Sequence, residues 1–267
     1  TTLHGTDITL IGTDRSYSPV IEFSINQSDG VTAVSNSLRQ QTLDSFNITN
    51  EVRVIYNFVN FERFSKTNKE HFKNAIAPNG EKILIHISNF RPVKRVQDVI
   101  RVFKEVNDHI PSKLLLIGDG PERRSMENLC REIGICNEIR FLGKQEAVEE
   151  LLAIADLFLL PSEKESFGLA ALEAMACEVP VVSSNAGGIP EANLHGVTGY
   201  NCQVGDIKEM SKRAIELLSN DQKLDRFKKA ARKQADNFDL QRILNQYEDY
   251  YMEVIERHKQ VSTLLQN

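Results

Sequence analysis

The chain has 267 residues, 41% of them hydrophobic and 26% charged, with a formal net charge of -5 and four cysteines. That is enough for one large α/β domain, or for one domain and part of a second. The mild acidic excess contains no basic block, which excludes sequence-independent nucleic-acid binding, and no apolar run is long enough for stable insertion into a bilayer.

Residues 1–60 read as a fragment of a domain followed by a linker. The opening TTLHGTDITL begins as though a strand were already under way, and His4 stands at its end. Val31–Val34 and Val52–Tyr56 read as short strands, with Ser35–Ser37 capping a helix through Asp44. Asn57–Asn60 reads as a linker that would absorb hinge motion.

From Phe61 the pattern becomes regular, and residues 61–238 read as one domain. Strands are predicted at Ile83–Ile87, Leu114–Ile117, Ile139–Leu142, Leu157–Leu160, Val179–Val182 and Tyr200–Cys202. Helices are predicted between them, at 95–108, 122–133, 146–154, 167–176, 207–219 and 222–236. Short apolar strands without alternation, separated by helices, specify a parallel sheet covered on both faces. The fold class is therefore α/β: a Rossmann-like, doubly wound parallel sheet. Residues 239–267 read as a last helix and tail. Cys130, Cys136, Cys177 and Cys202 show no C-x-x-C spacing and are expected to be free thiols in a reducing compartment.

Candidate chemistry gathers where predicted strands end, which is where open α/β sheets bind ligands. After Leu160, SEKESFGLAALEAM (Ser162–Met175) turns into a helix with Ser166 as a plausible N-cap. Backbone N–H groups from Ser166, Phe167, Gly168 and Leu169 would be unpaired donors at the positive end of the helix dipole. Glu165 and Glu173 bracket those donors. Anion donors flanked by carboxylates suit a sugar nucleotide; an ordinary capped helix with two solvated glutamates is the alternative. Arg91, Lys94 and Arg95 precede another helix, where cations oppose the macrodipole. They imply a nearby anion, or else a solvated basic turn. Gly118-Asp119-Gly120-Pro121-Glu122 reads as a strand–helix turn with Pro121 opening the helix. Arg123 occupies the place of the third glycine, so this is not a dinucleotide fingerprint. His71, His86, His109, His195 and His258 lack metal-ligand spacing and there is no D-x-D pair, so no metal site is expected.

Glu165-SFGLAAL-Glu173 resembles the E-x7-E signature of the retaining GT-B glycosyltransferases of family 4. The likeness continues through Pro180-Val181-Val182 and Gly187-Gly188-Ile189-Pro190-Glu191. HGTD (His4–Asp7), SNFRPVKRVQDV (Ser88–Val99) and FLGKQ (Phe141–Gln145) resemble one branch, the N-acetylglucosaminyl L-malate synthases of bacillithiol biosynthesis. The resemblance implies a GT-B fold with a complete C-terminal donor domain and a fragment of the N-terminal acceptor domain, preceded by a further N-terminal segment outside this sequence. It implies transfer of N-acetylglucosamine from UDP-N-acetylglucosamine to L-malate with retention, in the cytoplasm, without metal or cofactor. A related acceptor (lipid or glycan) stays open, as does a homo-oligomer; this chain taken alone, with most of the acceptor domain missing, is expected to be a nucleotide-sugar binding module without transfer activity. By the same resemblance His4, Lys94 and Glu165 are catalytic. Lys94 would hold the diphosphate together with Asn89 or Arg91; the family's arginine stands nearer Asn89, and Arg91 is the nearest arginine here. Asp119 would border the nucleotide, and backbone at Lys144 would read uracil. Glu165 would hold the sugar 3-hydroxyl, the Ser166–Leu169 turn the diphosphate and Glu173 the ribose, both glutamates acting as ionised acceptors. Glu178 stands where the family commonly has glycine.

Overall fold

The computed structural model describes residues 1–9, 16–67 and 69–265. The chain forms two compact units: Thr1–Phe58 with Phe238–Asn267, and Val59–Asn237.

The first unit holds three parallel strands in the order β1 (Thr2–Leu3), β2 (Val31–Ala33), β3 (Val52–Val54), with Thr2 opposite Thr32 and Val31 opposite Val52. Its helices are α1 (Thr6–Thr9), α2 (Ser18–Asn26), α3 (Asn36–Ser45) and the last helix of the chain, Leu240–Leu265. Ser35 caps α3, its side chain accepting from the Leu38 N–H at 3.0 Å. The last helix packs on this unit through Ile243 and Tyr250 against Ile55. The Tyr250 hydroxyl accepts from the Val31 N–H at 2.9 Å, and Arg53 pairs with Glu253 at 2.7 Å.

The second unit is built on six parallel strands: β4 (Lys82–Ile87), β5 (Ser112–Ile117), β6 (Ile139–Gly143), β7 (Leu157–Leu160), β8 (Val181–Ser184) and β9 (Gly199–Cys202). Their order is β6-β5-β4-β7-β8-β9. The connecting helices are α4 (Glu70–Ile76), α5 (Val96–Asn107), α6 (Arg123–Glu132), α7 (Val148–Ile154), α8 (Leu169–Ala176), α9 (Ile189–Ala192), α10 (Ile207–Leu218) and α11 (Asp221–Ala235). Leu84, Leu114, Leu116, Leu157, Leu159 and Val182 meet α5, α6 and α10 in one buried cluster. Their neighbours on the strands, Ile83, Ile85, Leu115 and Phe158, are equally buried on the opposite face. Every strand residue from Leu157 to Leu160 is buried, which is why these strands do not alternate. The chain winds outward from β4 to β5 and β6, then returns to β7 on the other side. The strand order therefore reverses between β4 and β7, and the crevice between their C-terminal ends is the switch point.

Several local expectations are corrected. Helix α8 starts at Leu169, with Gly168 at φ 89 as its N-cap and no side-chain cap, so Ser166 does not cap it. Leu172 and Met175 are buried, but Leu169 at the tip is 42% exposed. Pro121 precedes the N-cap Glu122 of α6 and does not open that helix. Val179 belongs to a Schellman turn that ends α8: its N–H bonds the Ala174 carbonyl at 2.9 Å, and that of Glu178 bonds Met175 at 3.0 Å. Glu178 holds φ 61 there, the left-handed conformation that favours glycine. The expectation of four free thiols also fails, because the end of α6 and the turn before β6 bring Cys130 and Cys136 together as a disulfide. Cys177 and Cys202 are free and buried, and burial pushes their thiols up to about 12 and about 11.

Candidate functional site

The loop that leaves β4 runs from Ser88 to a short 3-10 turn at Pro92–Lys94. Arg95, at φ 49, ends that turn and begins α5. Its guanidinium lies 2.6 Å from the fully buried Asp98 in the first turn of α5. Arg95 is thereby committed to the helix start, and the basic cluster is smaller than the sequence suggests. Lys94 reaches across the switch point to Glu165, Nζ to Oε2 at 2.7 Å, with both side chains largely buried at 21% and 15% exposure. The loops also share a backbone bond from the Glu163 N–H to the Val93 carbonyl, 2.8 Å. Arg91 and Asn89 are exposed on the same loop.

Glu165 is fixed through its own carbonyl, which accepts from the Gly188 N–H at 3.1 Å. A Cβ on Gly187 would lie 1.9 Å from that carbonyl oxygen, so the close approach requires glycine. The Gly118–Gly120 turn is interlocked with the β4 loop in the same way. A Cβ on Gly118 would lie 1.8 Å from the Ser88 carbonyl oxygen. The Phe90 N–H donates to the Asp119 carbonyl at 3.0 Å, and the Gly118 N–H donates to Gly143 at 2.8 Å. Three loops, after β4, β5 and β6, are thus held as one surface.

Asn89, Arg91, Lys94, Asp119, Lys144, Glu165 and the Ser166–Leu169 turn therefore share the C-terminal edge of one sheet. Asp119 is exposed, its carboxylate accepting from the Gly120 N–H at 2.9 Å, and Lys144 is exposed just past Gly143. The Phe167 side chain is buried, which leaves only its backbone to face a ligand. Glu173 sits about a turn into α8. Burial pushes its carboxyl up to about 7, with Arg63 pulling down and Glu149 pushing up by smaller amounts. The expectation that both glutamates stand ready as ionised acceptors is thus corrected for Glu173. His4 is exposed in the first unit, between β1 and α1. Sequence reasoning gave no role to Arg63, quoted Gly187 only as part of a motif, and took His86 only as lacking metal-ligand spacing. A histidine inside the apolar run Ile83-Leu84-Ile85-His86-Ile87 was the available signal, because a buried polar group needs partners. No group of three or more potential metal ligands occurs among the described residues.

A cation and a carboxylate at a switch point, with a helix start beside them and a second carboxylate one turn into that helix, can hold an anion at one end and hydroxyls at the other. With two Rossmann-like units, this arrangement belongs to the GT-B glycosyltransferase fold. A crystal structure of Anabaena Alr3699/HepE in complex with UDP and glucose has that fold and superposes with a TM-score of 0.84 at 22% identity, covering 94% of this chain and 70% of that one. Residues 67–234 match the family described as glycosyl transferases group 1, and the chain belongs to that family. It is 46% identical to the N-acetyl-alpha-D-glucosaminyl L-malate synthase of Bacillus anthracis over 97% of this chain and 68% of that protein. It is 33% identical to an uncharacterized glycosyltransferase of Methanocaldococcus jannaschii over 66% of this chain and 47% of that protein. The chain thus spans about two thirds of the first relative's length and about half of the second's. No helix among the described residues is long and apolar enough to cross a membrane.

Proposed function

We propose that this chain is the donor-binding part of a retaining glycosyltransferase that moves N-acetylglucosamine from UDP-N-acetylglucosamine to the hydroxyl of L-malate, the step that opens bacillithiol biosynthesis. The observation that carries the reading is the 46% identity to the Bacillus anthracis enzyme across 97% of this chain. In this reading Lys94 and the Ser166–Leu169 N–H groups neutralise the diphosphate as it leaves, with Arg91 or Asn89 beside them. That is electrostatic stabilisation aimed where charge develops. Glu165 holds a sugar hydroxyl, Glu173 the ribose hydroxyls, and backbone at Lys144 the uracil; Asp119 borders the nucleotide. His4 is carried as a further catalytic residue on the family likeness alone. The leaving phosphate oxygen takes the acceptor's proton as the bond to the anomeric carbon breaks, so the new bond forms on the same face. The same reading puts the reaction in the cytoplasm.

Calorimetry at pH 8, where the Glu173 carboxyl is ionised, tests the donor assignment. UDP should bind the chain, and Glu173→Ala should weaken it by roughly 1.5–3 kcal/mol, the worth of hydrogen bonds to a charged group. UDP binding that ignores both Glu173→Ala and Lys94→Met would place the nucleotide elsewhere.

A further inference from the structure

His86 lies on β4 with no exposed surface. Its Nδ1 is 2.8 Å from the Leu159 carbonyl oxygen on β7, and its Nε2 is 2.7 Å from the Ser88 hydroxyl. A carbonyl only accepts, so Nδ1 carries the proton. Burial holds the ring neutral, bringing its pKa down to about 4, so Nε2 is left as an acceptor for the Ser88 O–H. Ser88 is the first residue of the loop that carries Asn89, Arg91 and Lys94. Its N–H donates to Ile117 at 3.1 Å, and its carbonyl abuts Gly118. One imidazole therefore ties the end of β7, which leads to Glu165, to the root of the Lys94 loop. The tie crosses the switch point beneath the Lys94–Glu165 pair.

Resting on the donor-site reading above, we propose that His86 is a positioning residue for that site. Through the Ser88 hydroxyl it sets the direction in which the Lys94 loop leaves the sheet, and hence where the ammonium meets the diphosphate. His86 itself touches no substrate. Burial alone requires a partner for each ring nitrogen; what distinguishes this ring is that its two partners, Leu159 and Ser88, belong to the strand that leads to Glu165 and to the loop that carries Lys94. The two roles are separable. Asparagine at this position retains a donor near the Nδ1 place and loses the reach to Ser88. Alanine at Ser88 removes only the hydroxyl and leaves the strand tie intact.

The test measures UDP affinity by calorimetry and melting temperature for the wild type, Ser88→Ala, His86→Asn and the double variant of the full chain. It adds donor and malate KM in the active protein. Ser88→Ala and His86→Asn should each weaken UDP about three- to tenfold, the span of one hydrogen bond's net worth. The double variant should be no weaker than the worse single, because both changes break the same link. Donor KM should rise while malate KM stays put. A lower melting temperature with UDP affinity within twofold of wild type in Ser88→Ala would reduce His86 to a core residue and overturn the proposal. Additive losses in the double variant would overturn it as well. A wild-type chain that binds no UDP would instead remove the donor-site reading on which the proposal rests.

Discussion

The 2.7 Å contact between Lys94 and Glu165 means that the cation offered to the diphosphate is already neutralised by the carboxylate offered to the sugar. A phosphate oxygen that binds Lys94 would lie roughly 5–6 Å from Glu165, where two like charges cost about 3 kcal/mol at an effective dielectric near 20. Reorientation of Glu165 and salt reduce that to roughly 1–2 kcal/mol, or about tenfold in affinity. Glu165→Gln removes the charge at constant shape. UDP should therefore bind this variant about tenfold more tightly than wild type. UDP-N-acetylglucosamine gains the same relief but loses a charge-assisted hydrogen bond of roughly 1.5–3 kcal/mol, so its affinity should change little or fall. The ratio of donor affinity to UDP affinity should therefore fall. Titration of both ligands into both proteins at low and physiological salt is the assay, with the UDP gain shrinking as salt rises. An unchanged or weaker UDP affinity in Glu165→Gln would refute the reasoning, because the pair would then not compete with the diphosphate.

Two further outcomes follow from backbone and burial. The Glu173 carboxyl is raised by burial to about 7 in the folded chain from the unfolded 4.5. The folded state holds the extra proton between these values, so stability falls as pH rises from about 5 to 7 and levels off above, by about 3 kcal/mol at most. Glu173→Gln should lack that fall and gain on wild type at pH 8 but not at pH 4.5. Urea denaturation at both pH values checks it, and an equal difference at the two would contradict it. Ribose hydroxyls favour the ionised acid, so UDP binding should release protons near pH 6.5 and tighten toward pH 8. Glu178→Gly relieves a left-handed glutamate at φ 61 in the Schellman turn and should stabilise the chain by about 1 kcal/mol, read as a rise in melting temperature.

The central sheet was legible because its strands are buried on both faces, so Leu157–Leu160 and Leu114–Ile117 stand out as unalternating apolar runs. Their ends moved by one or two residues where a cap or turn decided the boundary, as at Gly168 and Glu178. Helix α4 was not legible: it is short, its N-cap Lys69 makes no side-chain cap, and none of its residues is buried. Helix α2 lacked a periodic apolar stripe, with Ile25 its one buried residue. The strand ends that carry Lys94 and Glu165 were legible as the ends of apolar runs, but the couplings across them were not local. Lys94 and Glu165 are 71 residues apart, and His86 and Leu159 are 73 apart. Only the parallel pairing of β4 with β7 makes these neighbours. The raised carboxyl of Glu173 likewise depends on packing that no motif encodes, and the Cys130–Cys136 bond on a helix end meeting a turn.

The acceptor decides the reaction. An active protein that carries this chain as its donor-binding part should be incubated with UDP-N-acetylglucosamine and L-malate, with released UDP measured and the product identified by mass and anomeric configuration. Malate-dependent UDP release and an α-linked N-acetylglucosaminyl malate, formed with retention, are expected. UDP release indifferent to malate, a β-linked product, or transfer to a glycan, lipid or aminocyclitol while malate stays inert would contradict this reading.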